Sequence, residues 1–487
     1  MKKLLFLSLL TLACASDYSK VIKATEDDYY NRNYDSAIPR IRALYEDAAG
    51  KDKLLFLMEA GMIFHSKGDF ETSNKVFKEA EGIAENIKVS LTKSGLSFLL
   101  SDNESNYVGE DFERVMIKFY IAYNYLVLGD LENAKIYFRR LDFDLKEMKF
   151  IAAGYRQNNA ARLLDAYVSE RLGRYNDARV QYRNMEQLIG QSSLLAGDRY
   201  FLALREGDDR DKQKYSQGEN KIQAYDRSMR AVSPTSNNLT EVVIIHEAGK
   251  SAIKMSRGKL INDEYLSVAL RGAIEATMRN GGSISASASA GGRGMSVPRG
   301  SGGGAALAAV ISALAIAENP IPIYKERDPA GSKPKKFYVN GVDIGPAEIM
   351  NDYSDTAIHN FNDNYQAIIT KNLSSLAVKM VAAAIASEAL SKAIEGSRGN
   401  KKGDDLVSGL ISLAAGAAAG ITIAQTIAPD LRCWRTIPST FQIKRFFLAP
   451  GEYNFKVDLA GGVHNAPSKI VVEEGKPLFI PIRSYTN

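Results

Sequence analysis

The strongest constraint on this fold is a pattern that recurs three times in the N-terminal half. Gly61 and Ser73, Ala122 and Ala134, and Ala166 and Ala178 are pairs of small residues, each pair twelve apart. A glycine (Gly68, Gly129, Gly173) precedes the second member of each pair by five, and an aromatic (Phe77, Phe138, Tyr182) follows it by four. From about Ser19 to Leu188 the apolar residues recur with a period near 3.6, broken by short polar turns, which predicts helices. Two antiparallel helices cross closely only where small side chains meet. The glycine turns the chain, and the aromatic fills the space beside the crossing.

This arrangement resembles the tetratricopeptide repeat, with departures. The family's tryptophan and repeat-ending proline are absent, and the copies start 61 and then 44 residues apart, against roughly 34 in the family. A weaker copy lies at Tyr34, Ala37 and Ile41, where Arg32 stands at the turn-glycine position. The resemblance implies an α-solenoid over 14–204, with a concave groove that takes an extended segment or a partner surface. A protein partner bound through that groove is therefore expected. The nine repeat-packing residues are Gly61, Ser73, Phe77, Ala122, Ala134, Phe138, Ala166, Ala178 and Tyr182.

The first thirteen residues read as a signal peptide: Lys2 and Lys3, an apolar run from Leu4 to Leu12, then Ala13 before Cys14. The run is too short to span a bilayer, which takes about 20 apolar residues. Small residue then cysteine resembles the bacterial lipobox, although Thr11 occupies the usual leucine position. That resemblance implies acylation of Cys14 and tethering to a membrane. Ala15 and Ser16 follow rather than an aspartate, which favours the outer membrane over the inner. With Cys14 lipidated, Cys433 has no partner for an intrachain disulfide. The net charge of +5 falls to +3 once Lys2 and Lys3 leave with the signal, too little to argue for nucleic acid.

After Leu204 the chain turns polar, and 205–240 reads as a linker. Glu241–His246 reads as a buried strand within a mixed α/β region, 241–428. That region holds a flexible Gly/Ser loop at 281–304 and two Ala/Gly-rich helices, Leu376–Ile394 and Leu406–Ala428. The second is charge-free, and is expected to be a core helix rather than a membrane insertion. Residues 429–487 read as a small β-sandwich. Tyr453, Phe455, Val457 and Leu459 alternate with Asn454, Lys456 and Asp458, and Trp434 is expected to plug the sandwich core. The fold class is thus mainly α, with a repeat solenoid, a mixed middle and a C-terminal β module. The whole resembles uncharacterised bacterial lipoproteins with tetratricopeptide-like helices, a likeness that implies no catalytic residues.

Catalytic and metal patterns are weak. His65, His246, His359 and His464 are scattered. His65 with Asp69, and His359 with Asp355 and Asp363, lack a second histidine or cysteine for a metal. His246-Glu247 lacks a histidine at Lys250, and Ala248-Gly249-Lys250-Ser251 lacks the first glycine of a phosphate loop. No metal, cofactor or enzymatic activity is expected. The expected function is a membrane-anchored scaffold for protein partners in cell-envelope assembly. Two other readings stay open, a pore-associated protein using 406–428 and a cell-wall hydrolase with a triad assembled in space.

Overall fold

A computed structural model describes residues 18–48, 50, 52–94, 106–147, 158–190, 193–216, 239–279, 315–363, 365, 368–369, 421, 428–459 and 462–486. The signal and Cys14, the loop 281–304, the helix 376–394 and nearly all of 406–428 lie outside these residues. Four helical hairpins open the fold: α1 (Tyr18–Tyr30) with α2 (Tyr34–Asp47), α3 (Lys53–Lys67) with α4 (Phe70–Ser94), α5 (Asp111–Val127) with α6 (Leu131–Glu147), and α7 (Asn159–Arg171) with α8 (Tyr175–Ile189).

All four hairpins turn in the same way. One residue sits at positive φ: Arg32 at 60°, Gly68 at 90°, Gly129 at 79° and Gly173 at 69°. Its N–H returns to the carbonyl three residues back, and the next N–H returns five back, as in Gly68 to His65 and Asp69 to Phe64. These bonds satisfy carbonyls that a helix end leaves open. Asp69 and Asp130 then cap α4 and α6 through bonds from Thr72 N and Asn133 N, both 3.1 Å. At the α3–α4 crossing Ser73 Oγ donates to the Gly61 carbonyl at 2.8 Å. A Cβ on Gly61 would lie 2.5 Å from the Phe77 ring, so only glycine lets these helices meet there.

The first and second helices of the hairpins differ in burial. α3, α5 and α7 are buried around almost their whole circumference, whereas α2 and α8 bury a single stripe, such as Ala37 and Ile41 in α2. A helix covered on all sides needs a second layer against it. The remaining elements supply that layer: α9 (Ser193–Glu206), α10 (Asp209–Lys214), β1 (Thr240–Ala248), β2 (Ile253–Met255), α11 (Glu264–Arg279), β3 (Ile323–Lys325), β4 (Lys336–Val339), β5 (Val342–Pro346), β6 (Glu348–Asp352), α12 (Tyr353–Asp363), β7 (Thr440–Leu448), β8 (Gly451–Val457), β9 (Gly462–His464), β10 (Lys469–Val472) and β11 (Leu478–Thr486).

β1 is the centre of a five-stranded sheet ordered β6-β7-β1-β11-β9, antiparallel to β7 and parallel to β11. A second sheet runs β10-β8-β4-β5, and β2 pairs with β3 apart from both. Every residue of β1 is buried. Val243 and Ile245 belong to the helical core, while Val242 and Ile244 belong to the core between the two sheets. Side chains alternate along a strand, so β1 serves two cores at once. The order of layers is outer helices, inner helices, five-stranded sheet and four-stranded sheet.

Three expectations change. The division at 428/429 cuts through both sheets, because β1, β4 and β6 pair with strands from 429–487. Alternation identifies a strand but not its distant partner. Part of the polar stretch 205–240 is ordered as α10, which is capped by Asp208. Trp434 lies in the helical core, not between the sheets, 5.8 Å from the Phe77 ring and 5.9 Å from Tyr120.

Candidate functional site

The inner face of the repeats is occupied by the chain itself. An extended strap, Arg432–Ile437, crosses α1, α3 and α5 on its way to β7. Helix carboxylates catch its main chain: Trp434 N–H donates to Glu113 Oε1 at 2.7 Å and Arg435 N–H to Glu59 Oε1 at 2.7 Å. Tyr30 OH donates to the Arg435 carbonyl at 2.8 Å. Thr436 Oγ1 donates to Glu59 Oε2 at 2.6 Å, and the Arg435 guanidinium meets Glu26 at 2.8 Å. Burial pushes the Glu59 carboxyl up to about 7, against the pull of Thr436 and Arg435 N–H. Burial likewise raises Glu113, with Glu110 adding to it. The Cys433 thiol is buried and pushed up to about 11, so little of it is the reactive thiolate.

Further along, the helix-facing side of β1 and β7 carries an ionic seam. Arg445 Nη2 donates to Glu170 at 2.8 Å, Nε lies 2.5 Å from Glu241 and Nη1 lies 3.4 Å from Asp198. Arg171 pairs with Glu241 and Arg205 with Glu170. Three guanidinium groups thus face three carboxylates. Burial works to raise Glu241, but Arg445 and then Arg171 outweigh it and hold the carboxyl below its usual value. Nearer α3, His65 Nε2 meets Glu247 Oε1 at 2.8 Å, and Nδ1 meets Asn124 Oδ1 at 2.5 Å. The Asn124 amide nitrogen is engaged with Ser73 and Asn74, which fixes its oxygen toward His65. Both ring nitrogens are therefore engaged. Glu247 also accepts from Tyr120 OH at 3.0 Å.

Beside this pair a cleft of about 860 Å³ opens between the α1–α2 and α3–α4 turns and the strands β10 and β11. Arg32, Lys67, Lys469 and Arg483 line it, and Glu247 is the one carboxylate among the lining residues. Lys67 also contacts Asp35, just outside, at 2.6 Å. Arg483 is 3% exposed. Its Nη1 donates to the Glu247 and Gly249 carbonyls at 3.0 and 2.6 Å, while Nη2 has no hydrogen bond among the described residues.

Among the described residues the β11 edge along this cleft is open over Leu478–Ile482, because β9 pairs only with Ser484, Tyr485 and Thr486. Gly249 N–H donates to the Ser484 carbonyl at 2.8 Å, so even-numbered main-chain groups of β11 face β1. Odd-numbered ones face away: Arg483 N–H donates to Asn465 Oδ1 at 2.6 Å. Phe479 and Pro481 therefore direct their polar groups to the cleft. Pro481 costs the ladder nothing there and leaves the edge one donor short.

Arg32 holds a left-handed backbone where the three sister turns use glycine. A β-carbon in that conformation costs roughly 1–2 kcal/mol. Its Nη1 donates to the His464 carbonyl at 2.7 Å.

The nine repeat-packing residues all lie at the hairpin crossings and are buried, and none lines the cleft. His65 pairs with Glu247 rather than Asp69, and His359 pairs with Asp355 at the surface, at 2.9 Å. His246 is buried between Gln442 and Ser484, and burial lowers its basicity to about 3. Sequence reasoning named neither the strap carboxylates Glu26, Glu59 and Glu113 nor the seam around Arg445. A visible signal was the apolar run Leu54–Met58, which leaves α3 no polar face for an open groove. Among the described residues, no group of three or more ligating side chains could hold a metal. No helix there is long and apolar enough to cross a membrane.

No protein-family model and no curated protein matches this chain. Among solved structures, the Rap conjugation gene regulator of plasmid pLS20, in complex with the Phr* peptide, matches 44% of the chain at 12% identity and a TM-score of 0.25. A tetratricopeptide repeat protein from Parabacteroides merdae matches 43% of the chain at 14% identity and a TM-score of 0.22, over 79% of its own length. The chain spans about 55% of the regulator's length. Likeness at these TM-scores carries no weight, and the tetratricopeptide-like reading rests on the four hairpins and their shared turn geometry.

Proposed function

We propose that this chain is a lipid-anchored, non-catalytic scaffold of a bacterial cell envelope, acylated at Cys14 and binding protein partners through its repeat-and-sheet body. The observation that carries the reading is the cis-occupied groove. The strap and the five-stranded sheet fill the inner face of the repeats, which joins helices and sandwich into one platform. Partners then meet the outer helices and the platform's edges. The engagement of His65 and His246 through both ring nitrogens favours a binding role over hydrolysis, since neither has a nitrogen left to serve a nucleophile. An acyl anchor at the outer membrane would concentrate the platform and its partner on one surface, so that modest affinity suffices.

The test has two arms in intact cells. Mass spectrometry of the mature N-terminus is expected to find an acylated Cys14. Photo-crosslinkers at Ile136, Phe143 and Val180, exposed positions on α6 and α8, are expected to trap a discrete protein. A free thiol at position 14 with the protein released as soluble removes the anchor. Crosslinking indistinguishable from a buried control position removes the scaffold.

A further inference from the structure

We propose that the cleft between the α1–α2 turn and the open edge of β11 is the docking site for an acidic, extended segment of a partner protein. The proposal rests on the scaffold reading for the existence of a partner, and adds the place and chemistry of the contact. Three independent features of the cleft carry it.

The first is charge. Arg32, Lys67, Lys469 and Arg483 line the cleft, and the one lining carboxylate, Glu247, is already engaged by His65 and Tyr120. The buried Arg483 keeps Nη2 without a hydrogen bond among the described residues. A cavity with this balance draws anions.

The second is main-chain geometry. Asn465 takes both outward main-chain groups of Arg483, so the open edge is Leu478–Ile482, five residues, about 17 Å long at ~3.3 Å per residue. The Phe479 N–H and the Phe479 and Pro481 carbonyls face the cleft. A peptide can add there as a strand. Pro481 offers no donor, so an uncharged strand gains too few bonds to stay, which keeps the edge from indiscriminate pairing. Carboxylates meeting Arg32, Lys67 and Lys469 supply the difference and therefore the sequence preference.

The third is strain. Arg32 is kept at φ 60° where the sister hairpins have glycine. A strained residue retained at a turn points to a task for its side chain, and this side chain lines the cleft.

The experiment screens a bead-displayed library of random octapeptides with the full chain. Enriched peptides are expected to carry Asp or Glu at alternate positions. The best of them, fluorescently labelled and followed by anisotropy, is expected to bind at least tenfold more weakly to R32G and to K469E, and to weaken with added salt. R32G relieves backbone strain, so its thermal midpoint is expected to stay near or above that of the parent chain. If R32G loses both stability and binding, the exposed K469E variant decides. Absence of enrichment, enrichment of neutral or basic peptides, or unchanged affinity in K469E overturns the proposal. So does an R32G protein that is less stable yet binds normally, since Arg32 then only clamps β9. A partner trapped on α6 or α8 in cells, without peptide binding here, leaves the scaffold reading standing and removes this site alone.

Discussion

Arg445→Met tests whether the repeats and the sheet are bound into one folding unit. The Arg445 side chain is 4% exposed and meets three carboxylates, of which Glu170 and Glu241 are fully buried. Methionine fits the space but leaves two guanidinium groups to face three carboxylates. Removing one partner of a buried pair costs about 3–5 kcal/mol. Arg171 and Arg205 are 20% and 27% exposed, so they and solvent relieve part of the imbalance, and about 3 kcal/mol is expected. That is a large share of a typical domain's stability of about 5–15 kcal/mol. Urea unfolding followed by Trp434, the single tryptophan, reads the change, with far-UV circular dichroism alongside. Both signals should shift together with an unchanged m-value. Adding Glu241→Gln to the variant should restore part of the loss. A change below 1 kcal/mol, or helices that unfold at the parental midpoint while the sheet melts early, would refute the reasoning.

Other outcomes follow from the same geometry. Gly61→Ala pushes a methyl against the Phe77 ring, so it should destabilise by about 1–3 kcal/mol despite alanine's better helix propensity, and Phe77→Leu should recover part of that in the double variant. Glu59, raised by burial to about 7, binds a proton in the folded chain that the unfolded chain has released above about 4.5. Stability from this group is therefore present at low pH and falls between about 4.5 and 7, by up to roughly 3 kcal/mol. Glu59→Gln should flatten that slope in urea midpoints measured across this range, and parallel pH profiles would contradict it. Glu247 has the opposite sign. Burial acts to raise it, but His65 outweighs burial and the carboxyl is depressed. Its contribution is present above the unfolded carboxylate range and lost as pH falls through the lower folded value, so Glu247→Gln should blunt acid unfolding.

The repeats were legible because a helical hairpin is a local object. Small residues at the crossing, a left-handed turn residue and an aromatic wedge all lie within about twenty positions. Even Arg32 stood visibly at the glycine position. The alternation of β8 was readable for the same reason, since one strand shows its own two faces. What the sequence did not reveal was pairing at long range. β1 meets β7 and β11 across roughly two hundred residues, and an apolar run says that a strand is buried but not by what. The same gap hid His65–Glu247 and Arg445–Glu170, whose members come from different halves of the chain. The filled groove left one trace, the continuous apolar surface of α3, which marks a buried helix but not what covers its second side.

Arg432–Ile437 is held in the repeat groove as part of the fold. Hydrogen exchange of the Trp434 and Arg435 amides tests it most directly, because their acceptors are Glu113 and Glu59 on the inner helices. Their protection should equal that of the α5 core amides and fall together with them in added urea. Exchange within seconds at neutral pH, while α5 stays protected, would mean the strap lies loose and the groove is open.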